Sequence, residues 1–163
     1  MELNAEQKAQ YLHRSYTAVD GLWFVKIEEE FGFEKALEID KQVWDVMPKI
    51  QARKIKQLTG LSRGLDDLCE ALQAKLNMDG FDFTVNKDKH EPSFTVSIKT
   101  CPWHEILKNC GRVAKSEKIG SVICNAEFSG WAKEFGDDIT YQLCSRICKG
   151  DDLCVVKYFQ QTD

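Results

Sequence analysis

The stretch FDFTVNKDKHEPSFTVSI, residues 81–98, decides the fold class. Phe81, Phe83 and Val85 alternate with polar residues, and Phe94, Val96 and Ile98 do the same after a polar loop containing Pro92. A period of two puts successive side chains on opposite faces of a strand, so the stretch reads as an antiparallel hairpin with one buried face. Farther along, ITYQLCSRIC (139–148) and LCVVKYF (153–159) read as a second hairpin whose turn is KGDD.

Upstream the period is helical. Asn4 is placed to cap a helix from Ala5 to Val19, and Asp20 to cap a second, DGLWFVKIEEEFG, that closes on Gly32 with a stripe of Leu22, Phe24, Val25 and Phe31. From Phe33 to Thr59, Leu37, Ile39, Val43, Trp44, Met47, Ile50 and Ile55 recur at mixed spacings of three and four. Pro48 lies inside that run and removes an intrahelical hydrogen bond, which predicts a kink or a split into two helices. Gly60 ends the run, and Ser62 is placed to cap a helix through Leu65, Leu68, Leu72 and Leu76 that stops at Asp79-Gly80. Between the hairpins, Pro102 opens a short helix, and a longer one spans about 117–135 with Gly120, Cys124, Phe128, Trp131 and Phe135 on one face. Strands segregated from helices predict an α+β fold, with helices packed on an antiparallel sheet of two hairpins. We read one domain over 1–163, mainly helical in 1–78 and running hairpin, helices, hairpin in 79–163.

Charge and hydropathy exclude several classes. The net charge is −4, and the basic run KIQARKIKQ (49–57) has the spacing of a solvated helix side, so nucleic acid is not an expected partner. The polar start and the lack of any apolar run long enough to span a bilayer predict no membrane and a cytoplasmic location. In that compartment the seven cysteines, 69, 101, 110, 124, 144, 148 and 154, should stay reduced, and an odd count leaves one over in any pairing.

Metal binding is then the chemistry to weigh against plain burial. Cys148 and Cys154 flank the terminal turn and can present two thiolates from one loop. Cys101 leads CPWH, where a strand hands over to a helix whose first N–H groups favour a thiolate. Cys124 sits on the apolar face of the next helix. Four thiolates from these elements would close a tetrahedral zinc site or hold an iron–sulfur cluster. His104 is a substitute ligand, and Cys69, Cys110 and Cys144 fit ordinary packing. Glu127, one turn after Cys124, is the candidate general base beside a metal-bound water, with His104 in attendance and Asn125 able to orient a ligand. Trp23, Phe24, Trp103, Phe128 and Trp131 are candidates either for core or for a pocket that takes a flat small molecule.

Taken together, DGLWF (20–24), EEEFGFEKALEID (28–40), CPWHEIL (101–107), IC with EFSGWAKEFG (123–136) and CKGDDLC (148–154) resemble an uncharacterised family of bacterial and archaeal proteins. The second half is also similar, more weakly, to L-2-amino-thiazoline-4-carboxylic acid hydrolases and to the small-molecule-binding domain named after bacteriochlorophyll 4-vinyl reductase. Those similarities imply an α+β ligand-binding fold, shared with haem-based nitric oxide sensors and vesicle-tethering subunits. On their pattern Cys101, Cys124, Cys148 and Cys154 are the matching positions. The resulting expectation is a metal-binding protein with a four-cysteine zinc or iron–sulfur site beside a small-molecule pocket. The alternative is a metal-dependent hydrolase of a cyclic C–N bond in a small carboxylate. Apolar faces on the N-terminal helices leave a homodimer open.

Overall fold

A computed structural model describes residues 1–161, and the chain divides into two compact units, Met1–Gln42 and Val43–Asp163. The first unit carries helix α1, Ala5–Phe31, and most of α2, Phe33–Trp44. Asn4 caps α1 through a reciprocal box: its Oδ1 accepts from the Gln7 amide at 2.8 Å, and Gln7 Oε1 accepts from the Asn4 amide at 3.0 Å. The helix does not break at Asp20-Gly21. One glycine inside a helix costs only about 1 kcal/mol, too little to break a segment that runs on to Gly32. That glycine, at φ 84°, stops α1. Of the expected stripe, Phe24 meets the Phe33 ring edge-on at 5.9 Å, whereas Leu22 and Phe31 are exposed.

The second unit holds the sheet. The Pro48 expectation resolves as a split: α2 ends at Trp44, and α3, Met47–Thr59, begins with Pro48 in its first turn, where no donor is missed. Gly60 closes α3 in the left-handed conformation. Helix α4, Leu65–Met78, is preceded by Gly64 and not capped by Ser62; the Ser62 amide instead donates to Asp67 Oδ2 at 2.7 Å. Strands β1 (Asp82–Lys87) and β2 (Ser93–Thr100) form the first hairpin, followed by α5 (Pro102–Asn109) and α6 (Ser116–Phe135). Strands β3 (Ile139–Ser145) and β4 (Cys154–Gln160) form the second.

The four strands are antiparallel in the order β1-β2-β4-β3, so β4 joins the two hairpins through β2. Register lines up Val85, Val96, Val156 and Leu143 across all four strands, and Phe94, Tyr158 and Tyr141 across three. Helices α4 and α6 lie against the sheet and α3 packs on both, so that Ala52, Ile55, Leu68, Leu72, Trp131 and Phe135 join Phe94, Val96, Val156 and Tyr158 in one core. Arg53 clamps α3 to α6 by a two-pronged ion pair with Glu134 at 2.9 and 3.0 Å. The expected α+β architecture is therefore observed.

Candidate functional site

Helix α6 aligns Gly120, Cys124, Glu127, Trp131 and Phe135 toward the interior, but their surroundings differ along its length. At its C-terminal half Trp131 and Phe135 stack on each other, fully buried. Toward its N-terminal half the neighbours become sulfurs and charges.

Four cysteines meet there. Cys124 projects from α6 one turn beyond Gly120. Cys148 belongs to a single 3-10 turn, Ile147–Lys149, between β3 and β4. A Cβ on residue 120 would stand 2.9 Å from Cys148 Sγ and 3.8 Å from Cys124 Sγ, so glycine there makes room for both sulfurs at once. Cys154 opens β4 opposite Ile98 of β2, and its Sγ accepts the Ile147 amide at 3.1 Å. Cys101 sits between β2 and α5. These are the four residues expected as ligands, and the fold brings them into one neighbourhood from β2, α6, the turn and β4.

Their protonation follows from burial. Burial pushes the Cys101 thiol up to about 11, opposed by the His104 and Trp103 amides at the start of α5 and reinforced by Cys154 and Glu127. Burial also raises Cys124 well above an ordinary thiol, with Glu127 and the other three cysteines adding to the rise. Cys148 is raised by burial and opposed by Arg146 and its own amide; Cys154 is raised by burial and opposed by the Ile147 amide and Arg146. Each thiolate would thus repel the others, while backbone donors face Cys101, Cys148 and Cys154. With their protons on, the sulfurs have no charge to draw them onto one point. Among the described residues no three His, Cys, Asp or Glu side chains are arranged to hold a metal ion as they stand.

The other cysteines separate from this group. Cys69 is fully buried under the sheet, where the Gln73 amide reaches its sulfur at 3.5 Å. Cys110 ends α5 and is exposed. Cys144 is exposed beside a register shift between Leu143 and Ser145, an irregularity that lifts it out of the strand alternation.

Glu127 is buried and ion-paired to Lys75 of α4, which also binds Asp79 at 3.2 Å and lies over the Phe81 ring at 5.2 Å. Burial pulls the Lys75 ammonium down, but the two carboxylates outweigh it and hold the group above an ordinary lysine. The Glu127 carboxylate is therefore committed to a structural partner at the edge of the thiol group. His104 Nδ1 meets Ser116 Oγ at 2.8 Å. Asn125 takes part in a contact with Tyr141, whose hydroxyl donates at 3.1 Å to the Asn125 backbone and side-chain oxygens. Lys75 was absent from the sequence expectation, and Asp79 stood there only as part of the turn that ends α4. Lys75 could have been found, because it shares the apolar face of α4 with Leu68, Leu72 and Leu76 and is only 3% exposed.

The aromatic residues do not gather into one pocket. Trp23 is exposed, Trp103 meets Trp44 edge-on at 6.0 Å, and Phe128 packs on Tyr141 and Tyr158. An open cleft of about 690 Å³ lies at the end of the sheet among Glu91, Ser93, Gln142, Lys157 and Phe159, and a smaller apolar one lies along α1. Neither borders the thiols.

Comparison with known proteins gives one assignment. Residues 5–157 match a family of unknown function (DUF6125), and the chain belongs to that family. No curated protein matches the chain. Membership thus agrees with the resemblance to an uncharacterised family and does not extend to the hydrolases or the reductase domain. No helix among the described residues is long and apolar enough to cross a membrane.

Proposed function

We propose that this chain is a metal-binding protein in which Cys101, Cys124, Cys148 and Cys154 take one zinc ion or one iron–sulfur cluster. The observation that supports it best is the pairing of four mutually repelling thiols with backbone amides aimed at three of them, around a Gly120 gap that a single methyl group would fill. N–H donors to sulfur are of little use to a buried neutral thiol, a weak acceptor, but stabilise a metal-bound thiolate. A bound cation replaces four protons and turns the repulsion among thiolates into attraction to a common centre. Four thiolates leave zinc no open position, so a zinc form would tie the second hairpin to α5 and α6 as a structural or binding element. A cluster would add electron transfer.

Metal analysis and an absorption spectrum of anaerobically purified protein test this directly. Stoichiometric zinc, or iron with a charge-transfer band, is expected in the wild type and should be lost in the four single Cys→Ser variants. Sub-stoichiometric metal in the wild type, or binding that survives all four substitutions, would sink the proposal.

A further inference from the structure

Helix α1 has two apolar sides, and only one of them is covered. Phe24 meets Phe33 of α2, and Thr17, the one buried residue of α1 among the described residues, shares that side. Leu12, Val19, Leu22 and Trp23 lie on the opposite side, within an arc of about 100° at 3.6 residues per turn. Each is 54–67% exposed, and Val19, Leu22 and Trp23 line an apolar groove together with Lys26. A helix in water owes most of its stability to packing of its apolar face. An exposed apolar stripe that includes a tryptophan therefore marks an interaction site.

Charge decides what fits there. Helix α1 carries five Asp and Glu against three Lys and Arg, which disfavours the anionic surface of a membrane. Along the stripe the charges are also separated. Lys8 flanks its N-terminal end and Glu30 its C-terminal end, while Lys26 answers Glu29 within the same helix at 2.6 Å. A second α1 running the opposite way matches that order.

We propose that α1 pairs with α1 of a second copy of this chain, antiparallel about a two-fold axis at Val19. In that register Val19 meets Val19, Trp23 lies over the small Ser15, the methylene stem of Lys26 covers Leu12, and Lys8 stands beside Glu30 at both ends. A parallel pair would instead set Lys8 against Lys8 and the acidic run 28–30 against itself, with the helix dipoles aligned and adding to the repulsion. Neither copy needs a metal for this contact.

Sedimentation equilibrium of the full-length chain at tens of micromolar tests the pairing. The wild type should be a dimer. Val19→Glu sets two carboxylates face to face on the two-fold axis and should weaken dimerisation by about a hundredfold or more. Lys8→Glu should weaken it by about tenfold, because the pair occurs twice and attraction becomes repulsion. Adding Glu30→Lys to Lys8→Glu restores opposite charges and should recover the wild-type affinity, which a substitution that merely damages α1 would not allow. A monomeric wild type overturns the proposal, including one that sediments instead with phosphatidylcholine–phosphatidylserine vesicles. A dimer indifferent to Val19→Glu or to Lys8→Glu overturns it too, as does a Lys8→Glu loss that the double variant fails to recover.

Discussion

The two halves of α6 place a glycine against a neighbour for different reasons. At Gly130 an added Cβ would lie 2.7 Å from the Pro48 ring, and at Gly120 one would lie 2.9 Å from Cys148 Sγ. The first close approach sets two helices together beside Trp131 and Phe135, in an interior made of apolar side chains. The second leaves space among thiols that gain nothing from contact with one another while protonated. One helix thus serves as a core element at one end and as a wall of a candidate site at the other. The chemistry of what is touched distinguishes the two ends.

The comparison can be broken most forcefully at Trp131. Trp131→Ala should cost about 4 kcal/mol in urea denaturation by opening a cavity, yet leave metal stoichiometry unchanged in the protein that remains folded. Loss of metal with stability intact would reverse the roles assigned to the two halves. Next comes the boundary between them. Glu127→Gln removes one of the two carboxylates that hold Lys75, with an expected loss of about 3 kcal/mol from a buried ion pair broken on one side. Metal binding should survive, which separates a structural Glu127 from a catalytic one.

The pH response sharpens the thiol end. Cys101 stands near 11 when folded against an ordinary thiol of 9.0. The folded state therefore holds that proton more tightly than the unfolded chain, so its contribution is fully present below about pH 9 and lost as pH rises through 11. Metal-free protein should lose up to ~2 kcal/mol over that window by chemical denaturation. Cys101→Ala should lessen the loss and leave the part carried by Cys124, Cys148 and Cys154, whose thiols burial also raises, whereas an unchanged slope would remove Cys101 as a source. The smallest effect separates the two glycines. Gly130→Ala should destabilise by about 1–2 kcal/mol, since the rigid Pro48 ring must yield. Gly120→Ala should change stability by less than about 1 kcal/mol, because a sulfur can rotate away, and its larger consequence should be weaker metal binding in chelator competition.

Much of this protein was legible in its sequence because the signals were local. Alternation in residues 81–98 identified the first hairpin, Pro48 marked the break between α2 and α3, and Pro102 marked the start of α5. Local signals also misled: Asp20-Gly21 looked like a helix boundary, and Ser62 like a cap, but α1 runs on and Gly64 takes the cap position. Cys101, Cys124, Cys148 and Cys154 were nominated from their places at a strand end, a helix face and a turn, together with the resemblance.

Only the tertiary structure decided which charges surround those thiols. Lys75 and Glu127 are 52 residues apart and become partners because α4 and α6 pack on the same sheet face. Residue type and spacing are properties of the chain, so the sequence by itself could nominate the cysteines. Burial and charge pairing arise when distant segments exclude water together, so the fold alone could say what a metal-bearing site would have beside it.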